Sequence, residues 1–263
     1  MTGRRTKLIA YVGLGLLAYL VFLVARFPAS TAYALSQEYT DVGTRISLSG
    51  VQGTLWTGRA RELVADGIAL GRIDWDLNPW AVLRARADID WRMNGERHAG
   101  QGRVVVARDG EVTVQGVHGN MRAEQFTPFF ANLPLRLTGD VQVRVQDMVV
   151  QPGRRFAARG ELNWQEAALT APQPMQLGSL RIDSVPTEEG GSRLQVSDTG
   201  GPLAIQGVIQ VGADGTYRTS LTMSARPSAD KGLASALGFF GPRDASGRVQ
   251  VSQTGRIPGW SGG

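Results

Sequence analysis

No cysteine occurs in the 263 residues, which excludes disulfides, thiolate metal centres and cysteine nucleophiles together. Lysine is almost missing too, with only Lys7 and Lys231 among 28 basic residues. An arginine bias of that kind tracks genome composition and carries no functional weight here. Histidine is limited to His98 and His118. Each sits in a glycine-rich, turn-like segment without a partner at metal-ligand spacing, so both are expected at the surface. There is no G-x-S-x-G elbow and no G-x-x-x-x-G-K-[ST] loop. The Glu188-Glu189 pair lies between Pro186 and Gly190-Gly191 and reads as a solvated loop rather than a catalytic dyad. The sequence nominates no catalytic residue, cofactor or metal, and the expectation is a protein that is not an enzyme.

Charge is scarce, at 19% of residues against a usual ~25%, and its placement matters more than the net +5. Arg4, Arg5 and Lys7 precede the uncharged run LIAYVGLGLLAYLVFLVA, residues 8–25; the rest of the chain carries 25 basic against 23 acidic residues. The basicity is therefore largely a topology signal. No basic helix or basic-aromatic stripe suggests nucleic acid. Eighteen helical residues reach about 27 Å, close to the ~30 Å hydrocarbon core. The basic start favours a cytoplasmic N-terminus. A cleaved signal peptide is the rival, since STAYAL offers Ala32 and Ala34 at an A-x-A-like site. The run exceeds the usual length of a signal core, and Arg26-Phe27-Pro28 follows directly, so a retained membrane helix is the expectation. Within it Gly13, Gly15 and Ala18 mimic a dinucleotide fingerprint but lack the preceding strand. Pro28 opens a linker helix to about Tyr39.

What the chain has in abundance is glycine, 34 residues, and alternation. In RARADIDWRM, residues 84–93, Ala85, Ala87, Ile89, Trp91 and Met93 share one face. Arg84, Arg86, Asp88, Asp90 and Arg92 share the other, which reads Asp88 and Asp90 as a solvated sheet surface rather than metal ligands. RVVVARDGEVTVQG predicts a hairpin at Asp109-Gly110, with Val104 and Val106 against Val112 and Val114. A second turns at Asp214-Gly215, and further strands carry Val141, Val143 and Val145, then Phe156, Ala158, Leu162 and Trp164, and finally Val249 and Val251. Short helices are expected at NPWAVLR, capped by Asn78 with Pro79 at N1, at AEQFTPFFANL, broken by Pro128, and at SADKGLASALGFF, with Leu233, Leu237 and Phe240 on one side. LGRIDWDL at 70 echoes LGSLRIDS at 177, which suggests duplicated sheet modules.

The segment SLSGVQGTLWTGRA, residues 47–60, packs Gly50, Gly53 and Gly58 around Trp56. Phosphate loops place such glycines between a strand and a helix, with a lysine; neither helix nor lysine follows here. The segment reads as a turn from Gly50 to Gly53, a second strand carrying Leu55, and glycine-relieved crowding that lets Trp56 lie across neighbouring backbone. Gly53, Leu55, Trp56, Gly58 and Arg59 form the candidate structural or interaction corner. Ile73, Trp75, Leu77, Ile89 and Trp91 form a candidate apolar sheet face.

GTLWTGRA (53–60), LGRIDWDLNPWAVLRARADID (70–90), GELNWQEAAL (160–169), GPLAIQG (201–207) and LGFFGPRDASGRVQVSQTGRI (237–257), in that order behind the N-terminal run, resemble protein N of the bacterial type II secretion system over nearly the whole chain. The tail IPGWSGG has no counterpart in that pattern. The resemblance implies a mainly β protein of the Gram-negative envelope, with a single N-terminal transmembrane helix followed by a curved, antiparallel periplasmic β-sheet domain with a few short helices. The expected organisation is a cytoplasmic basic start (1–7), a membrane helix (8–25), a linker helix (26–43), the periplasmic β domain (44–257) and a flexible tail (258–263). Its expected role is that of an accessory inner-membrane component in the export of folded proteins across the outer membrane. Its partners would be other secretion subunits of the inner membrane and periplasm. The family also resembles AsmA-like periplasmic proteins, whose curved sheets are thought to hold lipid, so a lipid- or amphiphile-binding sheet stands as the alternative.

Overall fold

The structure, a computed structural model, describes residues 13–16, 18–19, 21–39, 46–65, 68–95, 98–130, 136–171, 174–238, 240–257 and 260. Helical residues at 13–16, 18–19 and 21–25 precede α1 (Ala29–Tyr39), so the linker helix begins just past Pro28, where the missing N–H costs nothing. Among the described residues no helix is long and apolar enough to cross a membrane; residues 8–12, 17 and 20 of the expected span lie outside them.

Period-two patterning becomes one large antiparallel sheet. Its strands are β1 (Ile46–Ser49), β2 (Gln52–Gly53), β3 (Thr57–Ala65), β4 (Ile68–Leu77), β5 (Arg86–Asn94), β6 (Ala99–Ala107), β7 (Val112–Arg122), β8 (Arg136–Gln151), β9 (Arg155–Ala171), β10 (Met175–Pro186), β11 (Ser192–Gly200), β12 (Leu203–Val211), β13 (Thr216–Ala225) and β14 (Val249–Arg256). From β3 onward every strand pairs with its sequence neighbours; β1 and β2 both pair with β3. Both predicted hairpins form, the first in its predicted register: Val104 faces Val114 and Val106 faces Val112, while in the second Val211 faces Tyr217. Two short helices also form as expected, α2 (Pro79–Val82) behind its Asn78 cap and α3 (Lys231–Leu237) capped by Asp230.

Alternation separates the two faces across the whole sheet. Ala60, Ile73, Met93, Gly100, Gly119, Val143, Leu162, Ile182 and Val196 follow one another from strand to strand on one side. One residue away, Arg59, Asp74, Arg92, Gln101, His118, Arg144 and Glu161 form the polar row. The sheet curls to bury the apolar side: β9 reaches β11, and β10 reaches β12, with Cα atoms within 8 Å, whereas second neighbours in a flat sheet lie about 9.5 Å apart. The best-buried cluster joins Ala167, Met175, Leu177, Val196, Ile205, Met223 and Val249 to Leu233 and Leu237 of α3.

Glycine and tryptophan turn out to be paired. A Cβ on Gly58 would stand 2.7 Å from Trp75 Cε2, one on Gly102 3.1 Å from Trp91 Cζ2, and one on Gly139 2.9 Å from Trp164 Nε1. Each large ring occupies the volume left by a glycine on the adjacent strand, which fills the sheet surface where a side chain is missing.

Several expectations change. Leu55 and Trp56 form a bend, not a strand, and β3 starts at Thr57. Ala85 leaves the β5 alternation for a turn with φ 54°. The segment around Pro128 is a continuous 3-10 run, Ala123–Phe130, rather than a helix broken at that residue. Phe240 is 56% exposed while Leu233 and Leu237 are buried, since the chain turns away after α3. His98 is half-buried, with Nδ1 2.8 Å from Gln125 Nε2, and His118 lies on β7 rather than in a turn. The echo at residues 70 and 177 falls on β4 and β10, and in each copy the glycine, Gly71 or Gly178, sits at a register shift. The shared LG is thus a shared bulge.

Candidate interaction site

The corner at residues 53–58 is where the N-terminal segment meets the sheet. Gly53 has φ 91°, and a Cβ there would stand 2.6 Å from the Thr57 carbonyl oxygen, so only glycine closes this turn. Thr54 N–H donates to Thr57 O at 3.0 Å, and Thr57 N–H returns to Thr54 Oγ1 at 3.1 Å. Leu55 and Trp56, lifted out of the ladder, direct their polar groups elsewhere. Leu55 N–H donates to Phe27 O at 2.9 Å, and its carbonyl accepts from Trp75 Nε1 at 3.2 Å. Trp56 O accepts from Leu77 N–H at 2.6 Å, while the Trp56 indole N–H donates to Val24 O at 2.8 Å. Pro28 bridges Thr54, and Tyr33 of α1 accepts from Leu48 N–H at 2.8 Å. Backbone groups that a sheet would pair are here spent on the helix end instead.

All five predicted corner residues therefore lie together. Trp56 does not lie across the neighbouring strand, as the sequence suggests; it reaches the N-terminal helical segment, and Trp75 takes the place over Gly58. The predicted face residues are also neighbours: Trp75 opposes Trp91 and Leu77 opposes Ile89, with Ile73 against Met93. Leu77 is buried and the others are half-buried.

On the polar side a cavity of about 350 Å³ opens beside Gly58, lined by Arg59, Asp74, Asp76, Asp90 and Arg92. Arg103 donates to both Asp90 oxygens at 2.8 and 3.0 Å and stands 3.6 Å from Asp88. That bond holds the Asp90 carboxyl below the usual carboxylate range. The Asp-x-Asp pair on β5 is thus engaged by arginine. Among the described residues no group of three His, Asp or Glu side chains is placed to hold a metal ion. The charge pattern offers complementary pairing to a polar partner.

Sequence reading missed the reach of Trp56 to Val24 and the His98–Gln125 pair, which join residues 32 and 27 positions apart; no local signal marks either. The comparisons with known proteins bear on the whole chain. Residues 44–252 match the model of the family described as type II secretion system (T2SS), protein N. Type II secretion system protein N of Aeromonas hydrophila is 26% identical over 250 residues, covering 92% of this chain and 96% of the relative. The protein of the same name from Vibrio cholerae serotype O1 is 27% identical over 258 residues, covering 94% and 98%. No solved structure matches. With most of the sheet inside the matched region, the chain belongs to the type II secretion system protein N family.

Proposed function

We propose that the protein is an accessory component of the type II secretion machinery, held in the inner membrane by residues 8–25, with its β-sheet domain in the periplasm. It acts as an interaction module rather than as an enzyme. The observation that carries this reading is the bonding of the sheet corner to the end of the N-terminal helix, through Trp56 to Val24 and Leu55 to Phe27. A domain tied this closely to the end of its anchor is held at a set height above the membrane, which suits a positioning element in an assembly. Its polar row and the cavity beside Gly58 would receive the neighbouring subunits.

Two measurements test it. The protein should resist alkaline extraction from membranes and leave them only with detergent; release by alkali alone would refute the anchor. A photocrosslinker at Arg59 in cells should recover other secretion subunits of the inner membrane or periplasm. Crosslinks to none of them, with the protein folded and abundant, would sink the proposed role.

A further inference from the structure

Outside the N-terminal helical segment, large apolar side chains are exposed together at one place among the described residues. Trp80 is 72% exposed, Leu83 78% and Val82 43%, all on α2 and the turn that follows it. Single exposed apolar residues are ordinary; three within four positions are not. The backbone here is also held in a costly shape: Ala85 has φ 54°, a left-handed conformation that alanine avoids. That turn leads from the exposed Leu83 back into β5. Arg84 and Arg86 follow, exposed and without an ion partner among the described residues.

The position of this tip indicates what covers it. Trp56 joins both ends of the connection: its carbonyl accepts the Leu77 N–H one residue before the Asn78 cap, and its indole donates to Val24 at the end of the N-terminal helical segment. Thus α2 leaves the sheet beside the point where the chain would leave the bilayer. Arg26 follows at the same level, its guanidinium 5.7 Å from the Phe22 ring. A tryptophan and a leucine, flanked by exposed arginines at that height, match the pattern of side chains that settle at a membrane–water interface. Apolar groups enter below the headgroups while guanidinium groups meet lipid phosphates.

We propose that Trp80 and Leu83 insert into the surface of the same membrane that holds the N-terminal helix, with Arg84 and Arg86 on anionic headgroups. This gives the domain a second foothold, so that it cannot swing about its anchor. The inference rests on the inner-membrane anchoring proposed above, and its test separates the two.

The natural chain has no cysteine, so Leu14→Cys, Leu83→Cys and Val185→Cys each give one labelling site. The full-length protein, carrying an environment-sensitive fluorophore at one of these sites, is reconstituted in phosphatidylethanolamine–phosphatidylglycerol vesicles with and without nitroxide lipid. Val185, 50% exposed on β10, reports the aqueous sheet. The expected result is strong quenching at position 14, and at position 83 at least about twofold more quenching than at 185. Adding Trp80→Asp should bring position 83 down to the level of 185. Quenching at 14 with none above the 185 level at 83 would overturn the second foothold and leave the anchor standing. No quenching at 14 would remove the anchor, and the foothold with it. Shielding of position 83 from aqueous iodide without nitroxide quenching would assign the tip to contact with a second copy of this chain and overturn the membrane contact.

Discussion

The Trp75 indole lies over Gly58 of the neighbouring strand, with Cε2 2.7 Å from where a Cβ would stand. The same indole donates to the Leu55 carbonyl at 3.2 Å. One side chain thus fills a glycine gap in the sheet and fixes the bend beside it. Gly58→Ala must push the ring away, and overpacking of this kind costs about 1–3 kcal/mol. For a domain of this size that lowers Tm by on the order of 2–4 °C per kcal/mol. The same substitution in a Trp75→Leu background should cost clearly less, because the clash has gone. Equal losses in both backgrounds, read by thermal circular dichroism, would contradict the pairing.

How much of this was legible follows from what is local. The hairpins at Asp109-Gly110 and Asp214-Gly215 and the cap at Asn78 are set by residues a few positions apart, and the register of the first hairpin could be read directly from alternation. Glycine beside tryptophan was legible as a relief of crowding, but not which ring met which glycine. Trp75 and Gly58 are brought together by strand register, and Trp56 is freed to face Val24 only because Leu55–Trp56 leave the ladder. His98 was expected at the surface for the same reason: Gln125, which reaches it, comes from the 3-10 run after β7. Phe240 was misplaced because helical periodicity continued past the end of α3.

Trp56 is half-buried, so its replacement should loosen a junction more than it destabilises the sheet. Trp56→Phe keeps most of the ring and removes the bond to Val24, a loss of about 0.5–1.5 kcal/mol. Hydrogen exchange at the Arg26, Phe27 and Leu55 amides should quicken while the protection of β9 to β13 is unchanged. Uniform loss of protection across the sheet would mean that the corner belongs to the global core.

Asp198 sets an acid limit on stability. Burial alone would raise its pKa, since the side chain is 13% exposed. That is outweighed by the Arg226 bond at 2.6 Å, the Ile205 N–H at 3.0 Å and the guanidinium charge, so the folded value is lowered. A lowered carboxylate pKa stabilises fully above the unfolded value of about 3.9, and the contribution fades as pH falls through the folded value. Asp198→Asn should lower Tm at neutral pH and flatten its decline between about pH 5 and pH 3. Asp90 and Asp183, lowered by Arg103 and Arg181, keep part of that slope in the variant. An unchanged profile would show that Asp198 does not couple protons to folding.

Trp260 tests the curl of the sheet. Of the tail expected over 258–263 only this residue is described. Its ring meets Phe156 edge-on at 5.3 Å, and its indole donates to Ala213 O at 3.0 Å. Phe156 is the second residue of β9, while Ala213 lies between β12 and β13. In a flat sheet those strands would be about 14–19 Å apart, beyond the reach of one indole. Trp260 therefore spans an inward curl and closes its open end against two turns. An edge-on ring pair contributes about 0.5–1.5 kcal/mol beyond area, and the hydrogen bond about 1 kcal/mol more. Trp260→Ala should cost the sum of roughly 2 kcal/mol, and Trp260→Phe about half of it. Because the loss falls on the β9 and β12–β13 turns, hydrogen exchange should rise there first and leave the corner at Trp56 as protected as before. A Trp260→Ala variant as stable as the natural chain would mean that the strands hold their curl without the tail.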